Sequence, residues 1–223
     1  TQTPAERQTA LFSATMPLEI MKLAHKMLRQ PVTLQIGQRT SPAVGIRHAV
    51  YPVPRHLKNE LLLRLLQGEG MASVLVFTRT KYAADRLANR LKGAGLSVSV
   101  LHGDRNQSQR LHALEEFRMG RHQVMVATDI AARGIDVEGI THVINFDLPN
   151  TPEDYVHRIG RTARAQATGD AFSLVDRDEE PLVTDIERVL NISLPRVTLP
   201  HFNYREAVPS RAQRPPFHRQ GTP

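Results

Sequence analysis

Between residues 46 and 190, short apolar runs alternate repeatedly with segments of helical spacing. That alternation limits the folds open to this chain more than any other feature. Ser73-Val74-Leu75-Val76-Phe77-Thr78 is almost continuous in β-branched and aromatic residues, the pattern of a strand buried on both faces. It precedes residues 81–92, where Ala84, Leu87, Ala88 and Leu91 recur at helical spacing until Gly93 or Gly95 stops the helix. The same reading predicts strands over 97–102, 123–128, 141–146 and 171–175. It predicts helices carrying Leu111, Leu114 and Phe117, from Tyr155 to Ala163, and from Leu182 to Leu190. Repeated strand–helix alternation implies an α/β fold, a parallel sheet sandwiched between helices. Such sheets bind ligands beyond the carboxyl ends of their strands. The rule selects Thr78-Arg79-Thr80, His102-Gly103-Asp104, Thr128-Asp129 and Asp147.

The flanks follow a different logic. Residues 9–13 read as a strand, Leu18 to Leu28 as a helix and residues 32–36 as another strand. A strand–helix–strand piece of this size cannot bury its own apolar face, so residues 1–36 are expected to be the trailing segment of a preceding lobe. Residues 37–45 are polar, contain Pro42 and lack periodicity, as an interlobe linker would. Residues 46–200 form the principal lobe. Residues 201–223 carry Arg205, Arg211, Arg214 and Arg219 among prolines, which predicts a basic disordered tail.

Composition narrows the function classes. A formal charge of +7 favours polyanionic partners. No cysteine is present, which excludes disulfides and thiolate metal sites, and the ten histidines are scattered without metal-site spacing. No apolar run approaches membrane-spanning length, so a cytoplasmic protein with no membrane partner is expected. The densest chemistry lies in His157-Arg158-Ile159-Gly160-Arg161-Thr162-Ala163-Arg164, with three arginines, one histidine and no acid. On a helix Arg161 and Arg164, three apart, would share one face and reach one target. A cluster of this kind suits a polyphosphate.

Taken together, these strand-end residues resemble the C-terminal RecA-like lobe of DEAD-box RNA helicases, with a tone closest to the bacterial RhlE-like subgroup. The resemblance rests on Ser13-Ala14-Thr15, on Val76 to Thr80, on His102-Gly103-Asp104, and on Gln107 with Arg110. It rests further on the run from Ala127 to Asp136 and on His157 to Arg164, all in family order. The last two stretches are highly specific, whereas Ser-Ala-Thr alone occurs by chance. Related helicase families usually begin the arginine stretch with glutamine, so His157 favours the RNA-directed branch. Ala163 and Gln166 stand where many members have glycine, and the helix preference of alanine suggests that Ala163 is tolerated. The chain contains no Gly-Lys pair, hence no phosphate loop, and no Asp-Glu-Ala-Asp.

The resemblance implies an RNA-dependent ATPase in which Arg161 and Arg164 act as arginine fingers toward ATP held on the N-terminal lobe. It implies that Asp136 accepts a hydrogen bond from the ATP ribose, and that the Mg²⁺ ligands lie mainly on that other lobe. Asp129 and His157 would couple the arginine helix to Ser13, Ala14 and Thr15. Thr80, Gly103, Arg110, Thr128 and Arg133 would hold RNA by its backbone, without sequence preference. Plainer readings remain open: a turn cap for Asp136, a satisfied buried histidine for His157, and a helix-surface ion pair to Glu115 or Glu116 for Arg110. An ATP-independent RNA-binding or annealing module is the alternative function. Taken alone, the chain should not hydrolyse ATP, and its apolar residues 9–36 suggest some self-association.

Overall fold

The computed structural model describes residues 4, 6–13, 16, 18–34, 45–132, 137–163 and 168–205. Its centre is a six-stranded sheet made of β1 (Ile46–Pro52), β2 (Val74–Phe77), β3 (Val98–Leu101), β4 (Val124–Ala127), β5 (His142–Asn145) and β6 (Gly169–Val175). The strand order is β1-β6-β5-β2-β4-β3, and every neighbouring pair is parallel. All four residues of β2, β4 and β5 are buried. This is why those runs read as continuously apolar: helices cover both faces of an inner parallel strand.

Side-chain alternation sorts the two faces. Val74 and Val76 pack with Leu61, Leu62, Leu87 and Leu91 of α2 (Lys58–Leu66) and α3 (Lys81–Gly93). Leu75 and Phe77 point the other way, toward Phe117 of α4 (Gln107–Arg118) and Ala131 of α5 (Asp129–Ala132). On that same face Ala171 and Val175 meet Tyr155 and Ile159 of α6 (Pro152–Ile159) and Val183 and Ile186 of α7 (Glu180–Leu190). Each such leucine or isoleucine contributes about 1.5–3 kcal/mol relative to exposure. Past α7 the chain returns to the sheet edge, where Val50 N donates to Pro195 O at 2.9 Å and Val197 N to Val50 O at 2.8 Å. The outer edge of β1 is thereby bridged at Val50.

Three expectations change. The helix predicted over Leu18–Leu28 forms as α1 (Leu18–Met27), but residues 9–13 and 31–34 are irregular rather than extended in strands. A helix satisfies its own backbone, whereas a strand needs a neighbour, and none of the described strands pairs with these segments. The helix predicted from Tyr155 to Ala163 begins earlier and ends earlier. The Thr151 hydroxyl accepts from Asp154 N at 3.2 Å, Pro152 occupies the first turn, and Gly160 closes the last. Finally, β1 and α2, which the periodicity did not single out, complete the lobe.

Candidate functional site

The carboxyl ends of β2, β3, β4 and β5 lie side by side, so the four loops selected by sequence share one end of the sheet. At their centre is Arg158, only 2% exposed. Its Nε and Nη2 donate to Asp129 Oδ1 and Oδ2 at 2.6 and 2.8 Å. Its Nη1 donates to Asn145 Oδ1 at 2.9 Å and to Asp147 O at 2.7 Å, and its guanidinium lies 4.9 Å from the centroid of the Phe77 ring. A planar fork with five donors can span three partners in this way; an ammonium cannot. The arginine stretch is therefore not un-neutralised, because Asp129 balances Arg158.

The polar contacts continue inward from Arg158. Asn145 Nδ2 donates to Ser173 Oγ at 3.1 Å, and Ser173 in turn hydrogen-bonds the Tyr155 hydroxyl. That hydroxyl also lies 2.9 Å from His48 Nδ1. Burial pushes the Tyr155 phenol well above its ordinary range and lowers the His48 imidazole.

Arg161 does not lie on a helix face. It follows the end of α6 in a turn, half-buried, with its Nε donating to His157 O at 3.2 Å. Thr162 anchors this turn: it is 1% exposed, and its hydroxyl donates to Ile140 O at 2.6 Å, with Thr141 O 3.2 Å away. Ala163 then adopts a φ of 54°, the left-handed region. Helix preference is thus the wrong criterion for this position, and glycine would fit better. The shared helical face expected for Arg161 and Arg164 is replaced by a turn at Arg161; Arg164 lies outside the described residues.

Asp129, His157 and Arg161 line one shallow hollow. The His157 side chain is 33% exposed, with Nδ1 4.0 Å from Asp154 Oδ1, so it is not a satisfied buried histidine. Arg110 donates through Nη2 to Ala131 O at 3.2 Å, while Glu116 pairs with Arg121 at 2.6 Å. Arg110 thus leans against α5 instead of forming the helix-surface ion pair. The Thr128 carbonyl accepts from Ala131 N and Ala132 N at 3.1 and 2.9 Å, starting α5. Thr80 caps α3 by accepting from Ala83 N at 3.1 Å and remains exposed. A Cβ on Gly103 would meet open space, so the fold does not itself demand glycine there. Ser13 lies in irregular backbone. Ala14, Thr15, Arg133 and Asp136 lie outside the described residues.

Several residues of the site escaped sequence reasoning. Arg158, Thr162 and Asn145 hold the site together, and Asp85 braces the loop after β3, contacting His102 Nε2 at 3.1 Å and Arg105 Nη2 at 2.8 Å. Lys81 pairs with Asp104 at 2.7 Å and holds its carboxyl below the usual range. Arg158 and Thr162 lie within the His157 to Arg164 stretch, which was the available signal for both; nothing local marks Asn145 or Asp85.

Hydroxyls, a glycine and arginines converging at the strand ends of a RecA-like sheet define a lobe of the helicase class. The family model for the helicase conserved C-terminal domain matches residues 57–166. Among curated relatives, the DEAD-box ATP-dependent RNA helicase CshA of Geobacillus kaustophilus is 41% identical over 88% of this chain and 42% of its own length. Among solved structures, the Escherichia coli DEAD-box protein SrmB, bound to regulator of ribonuclease activity A, superposes with a TM-score of 0.70 at 36% identity. The match covers 74% of this chain and 98% of that one. Saccharomyces cerevisiae Dbp5 bound to RNA and ADP BeF3 superposes with a TM-score of 0.79 at 32% identity, over 87% of this chain and 52% of that one. The chain belongs to the DEAD-box family. It spans about two fifths of the length of the curated relatives it matches.

Proposed function

We propose that this chain is the C-terminal motor lobe of an ATP-dependent RNA helicase, working with an N-terminal RecA-like lobe, with residues 1–36 as the trailing segment of that lobe and 37–45 as the linker. One observation carries the reading. Arg158 ties the turn bearing Arg161 to Asp129, the residue next to Thr128, so the phosphate-directed arginine and an RNA-directed hydroxyl belong to one rigid unit. A change felt at either is felt at the other.

ATP, when bound, supplies the phosphoryl group that is transferred to water. Arg161 and Arg164 neutralise charge developing on the phosphoryl oxygens, and Asp136 orients the ribose. Arg161 fits that duty, since its turn opens onto the hollow shared with His157. No three acidic or histidine side chains among the described residues group to hold a metal, and we assign the Mg²⁺ ligands to the N-terminal lobe. Thr80, Gly103, Arg110, Thr128 and Arg133 grip the RNA backbone. His157 and Asp129 report nucleotide state to Ser13, Ala14 and Thr15. Among the described residues no helix is long and apolar enough to cross a membrane, and we place the protein in the cytoplasm. The exposed apolar side chains of Phe12, Leu18 and Met27 support self-association of this chain, which sedimentation at rising concentration measures.

The deciding experiment is ATP turnover with RNA and with DNA, for this chain alone and fused to the N-terminal lobe of a relative. RNA-stimulated turnover confined to the two-lobe protein and abolished by Arg161→Ala is expected. No turnover in either, with RNA binding intact, would sink the motor reading in favour of an ATP-independent annealing module.

A further inference from the structure

A cleft of about 780 Å³ runs along α3 beside the strand-end loops, and its charges are sorted by wall. The acids at its floor are engaged internally. Buried Lys58 pairs with Glu179 and donates to Phe146 O at 3.1 Å, while Arg79 N donates to Asp147 Oδ2 at 2.9 Å. The α3 wall carries Arg86 and Arg90, and Arg55 also lines the cleft. All three are exposed, and none forms an ion pair among the described residues. Arg86 and Arg90 are four apart, so they share a helix face and repel one another. An anion between the walls relieves that repulsion.

We propose that this cleft holds the phosphodiester backbone of the RNA strand where it continues past Thr80, adding phosphate contacts at Arg86 and Arg90. The proposal rests on the RNA-binding reading given above. One observation favours RNA over an acidic protein segment. Thr80 lines both the cleft and the row of strand-end loops, so the two surfaces are continuous. Asp178, exposed in the cleft lining, can accept a hydrogen bond from a ribose hydroxyl. The strand then lies with its phosphates toward α3 and its sugars toward the loop after β6.

The test is fluorescence anisotropy of this chain with labelled oligouridylates of five and twelve nucleotides, titrated across salt. Each lost single-strand phosphate contact flattens the log–log salt slope by about 0.7. The expected result is a slope for the longer RNA steeper by about 1.4 than for the shorter. Arg86→Gln/Arg90→Gln should erase that difference, while Arg188→Gln on α7 should leave it unchanged. A thermal melt confirms that the double variant folds; were it unfolded, Arg90→Gln alone should remove half the difference. An unchanged slope for the longer RNA in the folded variant overturns the proposal and turns the cleft into a docking face for an acidic protein segment. Binding of neither oligonucleotide by the unsubstituted chain overturns the RNA reading itself, and the proposal with it.

Discussion

Arg158 and Asp129 form a two-point ion pair, Nε to Oδ1 at 2.6 Å and Nη2 to Oδ2 at 2.8 Å, across 29 residues of sequence. Because Arg158 is almost wholly buried, the pair is a structural commitment. Removing Asp129, whose side chain is 30% exposed, leaves the buried guanidinium without its counter-charge beside solvent. Asp129→Ala is expected to lower unfolding stability by up to about 3 kcal/mol, the low end for a buried pair, read as a fall in the urea midpoint. Arg158→Lys should also lower the midpoint, since one ammonium cannot serve Asp129, Asn145 and the Asp147 carbonyl together. A midpoint unmoved by Asp129→Ala would contradict the clamp.

The left-handed backbone of Ala163 predicts a gain. Ala163→Gly relieves the clash of Cβ with the backbone at φ 54° and should stabilise the chain by about 1 kcal/mol, less the added freedom of the unfolded state. For a protein of this size that is a rise of roughly 2–4 °C in Tm. A lower Tm would show that the turn does not hold this conformation in solution.

Gly169 predicts a loss. A Cβ there would fall 2.1 Å from Thr162 Oγ1 and 2.8 Å from Ala163 N, so Thr162 must give way. Gly169→Ala is expected to cost about 1–3 kcal/mol. It should also reduce RNA-stimulated turnover of the two-lobe protein at temperatures where the variant remains folded, because Thr162 anchors the turn of Arg161. Full turnover in a folded Gly169→Ala protein would separate that anchor from catalysis.

Acid should weaken the lobe. Desolvation holds the His48 imidazole below its ordinary value of 6.5, and burial does the same to His142 against the pull of Asp170. The unfolded chain therefore binds more protons than the folded one just below pH 6.5. Stability is fully present above the unfolded value and declines as pH falls through the lower folded value. Thermal melts from pH 7.5 to 5 should show a falling Tm, with part of the slope removed by His48→Gln. A flat profile in the unsubstituted chain would show these imidazoles to be solvated.

The strands β2, β4 and β5 were legible because an inner parallel strand must be apolar on both faces, and that leaves a contiguous mark. The segments at 9–13 and 32–34 carry similar residues yet form no strand, because strand formation depends on a neighbour that composition cannot supply. The end of α6 was misplaced for a related reason. Arg161 to Ala163 have acceptable helix residues, but Thr162 finds better acceptors in Ile140 and Thr141 and draws the chain out of the helix.

The order of apolar and helical runs, and the motifs at the strand ends, determined the parallel fold and the end of it that carries chemistry. Both are local properties, set by side-chain periodicity and by residue types adjacent in the chain. Which arginine is buried and which is presented, that Ala163 is left-handed, and that Arg86 and Arg90 border a cleft were decided only in three dimensions. Each depends on partners brought together by sheet pairing and helix packing, and those distances are not written in any one stretch of sequence.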